Sequence, residues 1–383
     1  MNIRPIGPVA AALCLSAALA SAQPIEAFKA SSPREIAMGG SHAAVADDFY
    51  SLLANPAAMV AVKPELFASR LAIGASGPVF DLANLMLGGG DIMTALADLL
   101  AKNDYKLYAG LEIAGPLAFG YVGEGLGFGL FNRTRMSLNS ASVTSLRVLA
   151  SEDILLTGGY AYRFLLGKGH ALDLGLLAKG FIRGELDARD SLVGIQNLIS
   201  GSSSILARPF YLTTGIGFDL GLRWNWEERF SAGLVCRDAY SPGLISEYTS
   251  LLGFVGNPGS ALTGSRSAKV PTDLAVGGSW SPDLGILGRY VDDFILAIDY
   301  RDILDLARPM PRNAILNLGL GLEVRALDII SVRIGFSEAL LAAGIGFDLG
   351  AFKLEAAAWG SELSDEPGGR PIYNLLLAFD FIY

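Results

Sequence analysis

The 383-residue chain is 51% hydrophobic and 17% charged, with a formal net charge of −9. That acidic balance argues against nucleic acid as a partner. Beyond residue 22 there is no apolar run of the roughly 18 residues that a membrane-spanning helix needs.

Residues 1–22 read as a secretory signal peptide. Arg4 gives the positive start, Val9 to Leu19 the apolar stretch, and Ala20-Ser21-Ala22 the small-residue cleavage site. Leu13 before Cys14 speaks against a lipoprotein. Loss of this leader would leave Cys236 alone, so an intrachain disulfide is not expected.

Residues 23–63 are rich in small side chains and contain Met38-Gly39-Gly40, Ala46-Asp47-Asp48 and Asn55-Pro56-Ala57. Pro56 argues against a regular strand here. Asp47 and Asp48 are placed to cap a short helix over Phe49 to Ala54. Asn55 is a turn residue favoured before proline, and a ligand role weighs the same.

From Glu65 onward the pattern changes to strict alternation. Ile216, Phe218, Leu220, Leu222 and Trp224 interleave with Gly217, Asp219, Gly221 and Arg223. Leu316, Leu318, Leu320, Leu322 and Val324 repeat the pattern against Asn317, Gly319, Gly321 and Glu323. Such writing gives each strand one apolar and one wet face. Strands are expected near 65–74, 105–114, 117–122, 126–138, 142–149, 153–164, 170–185, 209–224, 228–241, 270–281, 292–301, 313–325, 328–336, 340–349, 351–360 and 371–383. Merging the short stretches 117–122 and 142–149 into longer or bent neighbours reduces the sixteen to fourteen.

The expected long connections are 75–104, 186–208, 242–269, 302–312 and 361–370. All follow odd-numbered strands and so leave an antiparallel barrel on one side. Most even-numbered connections are short, such as Gly167-Lys168-Gly169, with 282–291 the exception. Transmembrane barrels segregate their loops in this way. A secreted sandwich or propeller is the alternative, but no blade-like repeat is found. The last stretch places Leu375, Leu377, Phe379, Phe381 and the terminal Tyr383 on one face. It resembles the signal read by the outer-membrane barrel-assembly machinery, an expected partner during biogenesis. In a soluble protein such an edge would invite aggregation.

Catalytic chemistry is not supported. His42 and His170 stand far apart, and no metal, esterase or nucleotide motif occurs, so no enzyme activity, cofactor or metal is expected. Gly123, Gly125, Gly127 and Gly129 alternate and leave room on one face. Arg133, Arg135, Asp219, Arg223, Glu323 and Arg325 lie opposite the apolar stripes. They suit salt bridges from wall to interior, or a merely solvated lumen. In loop 75–104, Ile92, Met93, Leu96, Leu99 and Leu100 share a helical face. Apolar residues also gather in other expected loops, with Leu192, Ile195 and Leu198 in one and Leu251, Leu252 and Phe254 in another. These either collect a hydrophobic ligand or plug the mouth.

The ordered set Ser32-Pro33-Arg34-Glu35-Ile36-Ala37-Met38-Gly39-Gly40, Ala44-Val45-Ala46-Asp47-Asp48 and Asn55-Pro56-Ala57 resembles the N-terminus of the FadL-like outer-membrane proteins. It is most similar to the branch containing the UPF0164 and PorV-like proteins. Ala58 stands where that pattern has glycine. Gly-rich 117–134 is also similar; the rest matches in pattern only. The resemblance implies an all-β transmembrane antiparallel barrel of about fourteen strands (range 12 to 16) over 64–383. Residues 23–63 would be a luminal hatch, centred on Met38, Gly39, Gly40, Asp47, Asp48, Asn55, Pro56 and Ala57. It further implies passive uptake through the outer membrane of hydrophobic small molecules or lipids, long-chain fatty acids foremost, with a sideways exit through a break in the wall. The alternatives are a PorV-like barrel binding secreted proteins and a structural envelope barrel.

Overall fold

A computed structural model describes residues 24–30, 32–45, 48–78, 98, 101–102, 107–142, 145–190, 205–227 and 229–383. The expected helical face in 92–100 and Leu192, Ile195 and Leu198 lie outside these residues.

The alternation closes into a fourteen-stranded antiparallel barrel. In chain order the strands are β1 (Glu65–Ser76), β2 (Tyr108–Ala114 continued by Phe119–Gly123), β3 (Leu126–Ser142), β4 (Ser145–Gly167), β5 (His170–Asp190) and β6 (Phe210–Trp226). They continue as β7 (Phe230–Tyr240 and Pro242–Tyr248), β8 (Leu262–Lys269 and Asp273–Trp280), β9 (Asp293–Tyr300) and β10 (Leu318–Ala326). The last four are β11 (Ile330–Ser337), β12 (Leu340–Asp348), β13 (Phe352–Glu362) and β14 (Pro371–Ile382). Closure comes from β1 pairing with β14, with Leu71 opposite Phe379 and Ala72 opposite Ala378. The terminal strand thus has no free edge.

The two faces of each strand sort as the alternation requires. On β6, Ile216 and Leu220 are 52% and 51% exposed while Asp219 between them is 2% exposed. Leu375, Leu377, Phe379 and Phe381 likewise point outward from β14, with Asp380 turned inward. An apolar exterior around a charged interior inverts a soluble protein and fits a wall surrounded by lipid. No helix among the described residues is long and apolar enough to cross a membrane.

Both merged stretches belong to longer strands, so the count is fourteen rather than sixteen. Of 117–122, residues 119–122 fall in the lower half of β2, and 142–149 spans the end of β3 at Ser142 and the start of β4 from Ser145. The halves of β2 both pair with β1 and β3, so one strand is interrupted over Gly115 to Ala118. Pro116 lacks the N–H that a ladder needs. Strands β7 and β8 break side by side, at Ser241 and at 270–272, where Pro242 and Pro271 stand.

The stretch 242–269 corrects an expectation. It is not one long loop but two ladder arms, with Leu244 opposite Ser267 and Ser246 opposite Ser265. Only short helices over Leu251–Gly256 and Pro258–Ala261 connect them. Its serines and glycines blur the apolar alternation, because a ladder projecting beyond a membrane needs no greasy outer face. Strand β5 similarly runs on to Asp190. Gly123 and Gly125 sit at a turn, with φ of 155° and 84°, so only Gly127 and Gly129 share an inner face, and Met59 and the Phe131 ring fill the room they leave.

Candidate functional site: the occupied lumen

The segment before β1 threads the barrel. Ser32 starts a short helix, Pro33–Ala37, by accepting the Glu35 N–H on Oγ at 3.3 Å. Arg34 leaves this helix for the wall and grips Glu323 of β10 in two-pronged fashion, Nε–Oε2 2.7 Å and Nη2–Oε1 2.8 Å. Arg333 of β11 joins Glu323 at 2.5 Å and Glu355 of β13 at 2.6 Å. Arg325 stands 3.7 Å from Glu323.

Met38, Gly39 and Gly40 pass directly against strands. Met38 is fully buried, packing with Val45, Ile295 and Ala297. Gly39 has φ 68°, and a Cβ there would strike the carbonyls of Phe336 and Leu320. Beyond them, Asp299 Oδ2 of β9 accepts the backbone N–H groups of His42 at 2.9 Å and Ala43 at 2.8 Å.

Asp48 works inside the segment. Its Oδ1 accepts the Ser51 N–H at 2.9 Å, where a helix over Ser51–Ala54 begins, and its Oδ2 meets Arg34 Nη1 at 3.2 Å. His42 Nε2 lies 3.6 Å from the same carboxylate. Burial disfavours the charged imidazole, but the adjacent Asp48 carboxylate outweighs it and raises the His42 pKa. Burial would also raise the Asp48 pKa, yet His42 and Arg34 hold it well below the usual carboxylate range. Asp47 lies outside the described residues.

Asn55 is fully buried and makes three bonds. Its Oδ1 accepts the Ala57 N–H at 3.1 Å, and its Nδ2 donates to the carbonyls of Ala43 at 2.7 Å and Leu222 at 3.2 Å. The Asn-Pro-Ala turn therefore caps a 3-10 helix over Pro56–Val60 and is also tied to β6. Wall glycines make room for it. A Cβ on Gly221 would meet Asn55 Oδ1, and one on Gly175 would meet the Pro56–Ala57 peptide. Since β5, β6, β9, β10 and β11 all touch this segment, it lies inside the barrel.

The remaining inward charges pair nearly everywhere. Arg133 bridges to Asp153 at 2.7 Å, and Arg183 holds the same carboxylate at 2.5 Å. Arg135 reaches Glu26 of the N-terminal segment at 2.6 Å. Lys179 lies between Asp219 at 2.7 Å and Asp238 at 2.8 Å. Arg223 donates to the Ala44 carbonyl at 2.9 Å. Wall-to-segment bridges thus form at Glu323 and Arg135, while Asp219 pairs within the wall.

Three spaces adjoin the segment, two of them towards the long connections. At the end bearing the long connections is a mixed-polarity cavity of about 700 Å³, bordered by Lys29, Arg301 and Asp305. Behind the interruption in β2 is a much smaller pocket, of about 20 Å³, where Phe28, Tyr50, Ala118, Phe131 and Leu155 form an apolar side and Arg70, Arg133 and Asp153 a charged one. Phe28 stacks on Phe181 with ring centroids 4.4 Å apart. The sequence reading passed over Phe28, Tyr50 and Ala118.

The candidate outer-loop residues part company. Leu251 and Phe254 pack on a cluster of Leu186, Phe210, Tyr248 and Ala261, with the Phe254 ring 4.8 Å from Tyr248. Leu252 and Val255 remain open, at 55% and 73% exposed.

No protein-family model matches this chain, and no curated protein matches it in sequence. Among solved structures it is similar to two deletion mutants of the TodX monoaromatic hydrocarbon channel. Each superposes with a TM-score of 0.50 at 10% identity. The matches cover 93% and 92% of this chain and 99% of each TodX chain. The Ralstonia pickettii toluene transporter TbuX gives 0.49 at 14% identity, covering 92% of this chain and 97% of that one. At such identities the likeness establishes the fold, a closed barrel of FadL type.

Proposed function

We propose that this barrel resides in the outer membrane and lets hydrophobic small molecules pass without chemical conversion. The observation that carries the reading is the interruption of β2 over Gly115 to Ala118, backed by a pocket of about 20 Å³ that has to widen before a ligand enters. A ligand would part Phe28, Phe131 and Leu155 and then pass Ala114 and Ala118, which are 9% and 2% exposed, to meet lipid. Long connections would face outward and short turns the periplasm, as in other barrels of this kind. Leu252 and Val255 at the mouth would be the first apolar contact.

The residues 24–62 act as the hatch in this account. Asn55, Pro56 and Ala57 fix it on β5 and β6, and Met38, Gly39 and Gly40 fix it on β10 and β11. Its many wall bonds make local shifts, rather than expulsion, the way it would admit a ligand. Long-chain fatty acids are the finer candidate from sequence resemblance. Monoaromatic hydrocarbons are the second, favoured by the three aromatic rings of Phe28, Tyr50 and Phe131 around a small pocket.

Mass spectrometry of compounds extracted from purified protein tests the reading. Fatty acids or aromatic hydrocarbons should copurify, and Ala118→Trp should deplete them by filling the pocket. Copurification of a secreted protein, with no hydrophobic compound in either form, would favour the accessory-barrel alternative.

A further inference from the structure

The interior spaces form a series along the barrel. The outer cavity of about 700 Å³ and the pocket behind β2 share Phe28, Lys29 and Ala30 as a common border. At the end with the short turns is a third space of about 210 Å³, ringed by charges such as Lys63, Arg325, Asp348 and Lys353. Tyr50 borders both this third space and the pocket behind β2. Arg70 lines the pocket, Asp380 lines the charged space, and the two meet at 3.4 Å. A single layer of side chains therefore separates the two halves of the lumen.

That layer has unmet polar groups. Arg70 is 2% exposed, Asp380 3% and Tyr50 6%. Yet Arg70 Nε, Nη1 and Nη2, the Tyr50 hydroxyl and Asp380 Oδ1 have no hydrogen-bond partner among the described residues. The guanidinium lies over the Tyr50 ring, 4.6 Å from its centroid. Asn132 Oδ1 and Arg133 Nε on the pocket wall are likewise without partners. A buried guanidinium with only one loose ion pair is too costly to remain dry, and groups of this kind hold water. Single unpartnered atoms occur elsewhere, as at Asp299 Oδ1 and Arg135 Nε, but among the described residues only Arg70 has its whole guanidinium without a hydrogen bond.

We propose that the barrel has a second conducting function: a central polar pathway for water and small inorganic ions, running end to end and gated by Tyr50, Arg70 and Asp380. The Arg70–Asp380 pair and the Tyr50 ring form the seal, and their unmet donors and acceptors are the solvation sites an ion uses in passing. This pathway runs along the barrel axis and does not depend on sideways release of a hydrophobic ligand.

Conductance of the full-length protein in planar bilayers bathed in potassium chloride tests the proposal. Wild type should show rare, small openings. Tyr50→Ala, and separately the paired variant Arg70→Ala with Asp380→Ala, should raise mean conductance at least about tenfold. Leu177→Ala, an equally buried truncation away from the three spaces, should behave as wild type; folding of each is read from heat-modifiable gel mobility. Folded gate variants that stay as silent as wild type, or a Leu177→Ala barrel that conducts as strongly as they do, would overturn the proposal.

Discussion

Arg34 and Glu323 lie 289 positions apart in sequence, yet their side chains form a paired hydrogen bond of 2.7 and 2.8 Å inside the barrel. Both are almost wholly buried, at 3% and 0% exposed. The pair joins the N-terminal segment to β10, and Arg333 extends it to β13 through Glu355. Replacing Glu323 by Gln would leave two buried guanidiniums without their shared counter-charge. Breaking such a site costs about 3–5 kcal/mol. Glu323→Gln should therefore free the N-terminal segment to proteases while the wall stays folded, seen as limited trypsin cleavage at Arg34 with heat-modifiable mobility retained.

Asn55→Ala should act on the same segment from the other side. It removes a fully buried amide that bonds Ala43, Ala57 and Leu222, leaving polar groups unpaired at about 1–3 kcal/mol. Gly221→Val should act more strongly, because its side chain enters the space of Asn55 Oδ1. Thermal unfolding followed by near-ultraviolet circular dichroism should rank wild type above Asn55→Ala, and that above Gly221→Val.

The pair of His42 and Asp48 gives the segment a pH window. The raised His42 pKa contributes stability that is present below the ordinary histidine value of 6.5 and lost as pH climbs through the folded value. The depressed Asp48 pKa contributes stability present above the ordinary 3.8 and lost as pH falls through its folded value. Arg34, Glu35 and Asp299 also face this pair. Resistance of the segment to proteolysis should peak between about pH 4 and 6.5 and decline towards alkaline pH. His42→Gln should flatten the alkaline decline.

The outer face makes a separate claim. Leu220→Arg puts a charge on the lipid side of β6, which costs about 2–4 kcal/mol near the midplane of a bilayer. The swap of Arg223 for Lys, on the opposite face, keeps the luminal charge. Refolding into lipid vesicles should be strongly impaired for Leu220→Arg and only slightly for Arg223→Lys.

Much of the wall was legible because period two is a strong signal where one face meets lipid and the other holds Gly and charge. Ile216 through Trp224 face as their alternation states. The projecting arms Pro242–Tyr248 and Leu262–Lys269 were missed because residues outside the bilayer need no apolar face. Arg70 was hidden for another reason. Counting in twos from the inward Phe67 would send Arg70 outward, but a bulge between Phe67 and Ser69 turns it into the lumen. The Asn-Pro-Ala turn was visible as a turn, while its wall partners Gly175 and Gly221 were not, since close approach of two backbones leaves only an unremarkable glycine in the sequence. Arg34 sat beside Met38-Gly39-Gly40 in plain view, and its partner could come only from the fold.

Hydrophobic molecules are proposed to leave where β2 is interrupted. The most direct measurement is uptake of a radiolabelled fatty acid, and in parallel of toluene, by cells whose uptake depends on this protein. Wild type is compared with Ala118→Trp at equal amounts in the membrane. The account predicts that Ala118→Trp reduces uptake of the true ligand at least about tenfold while the barrel remains folded. Unchanged uptake of both compounds by a folded Ala118→Trp barrel would contradict it.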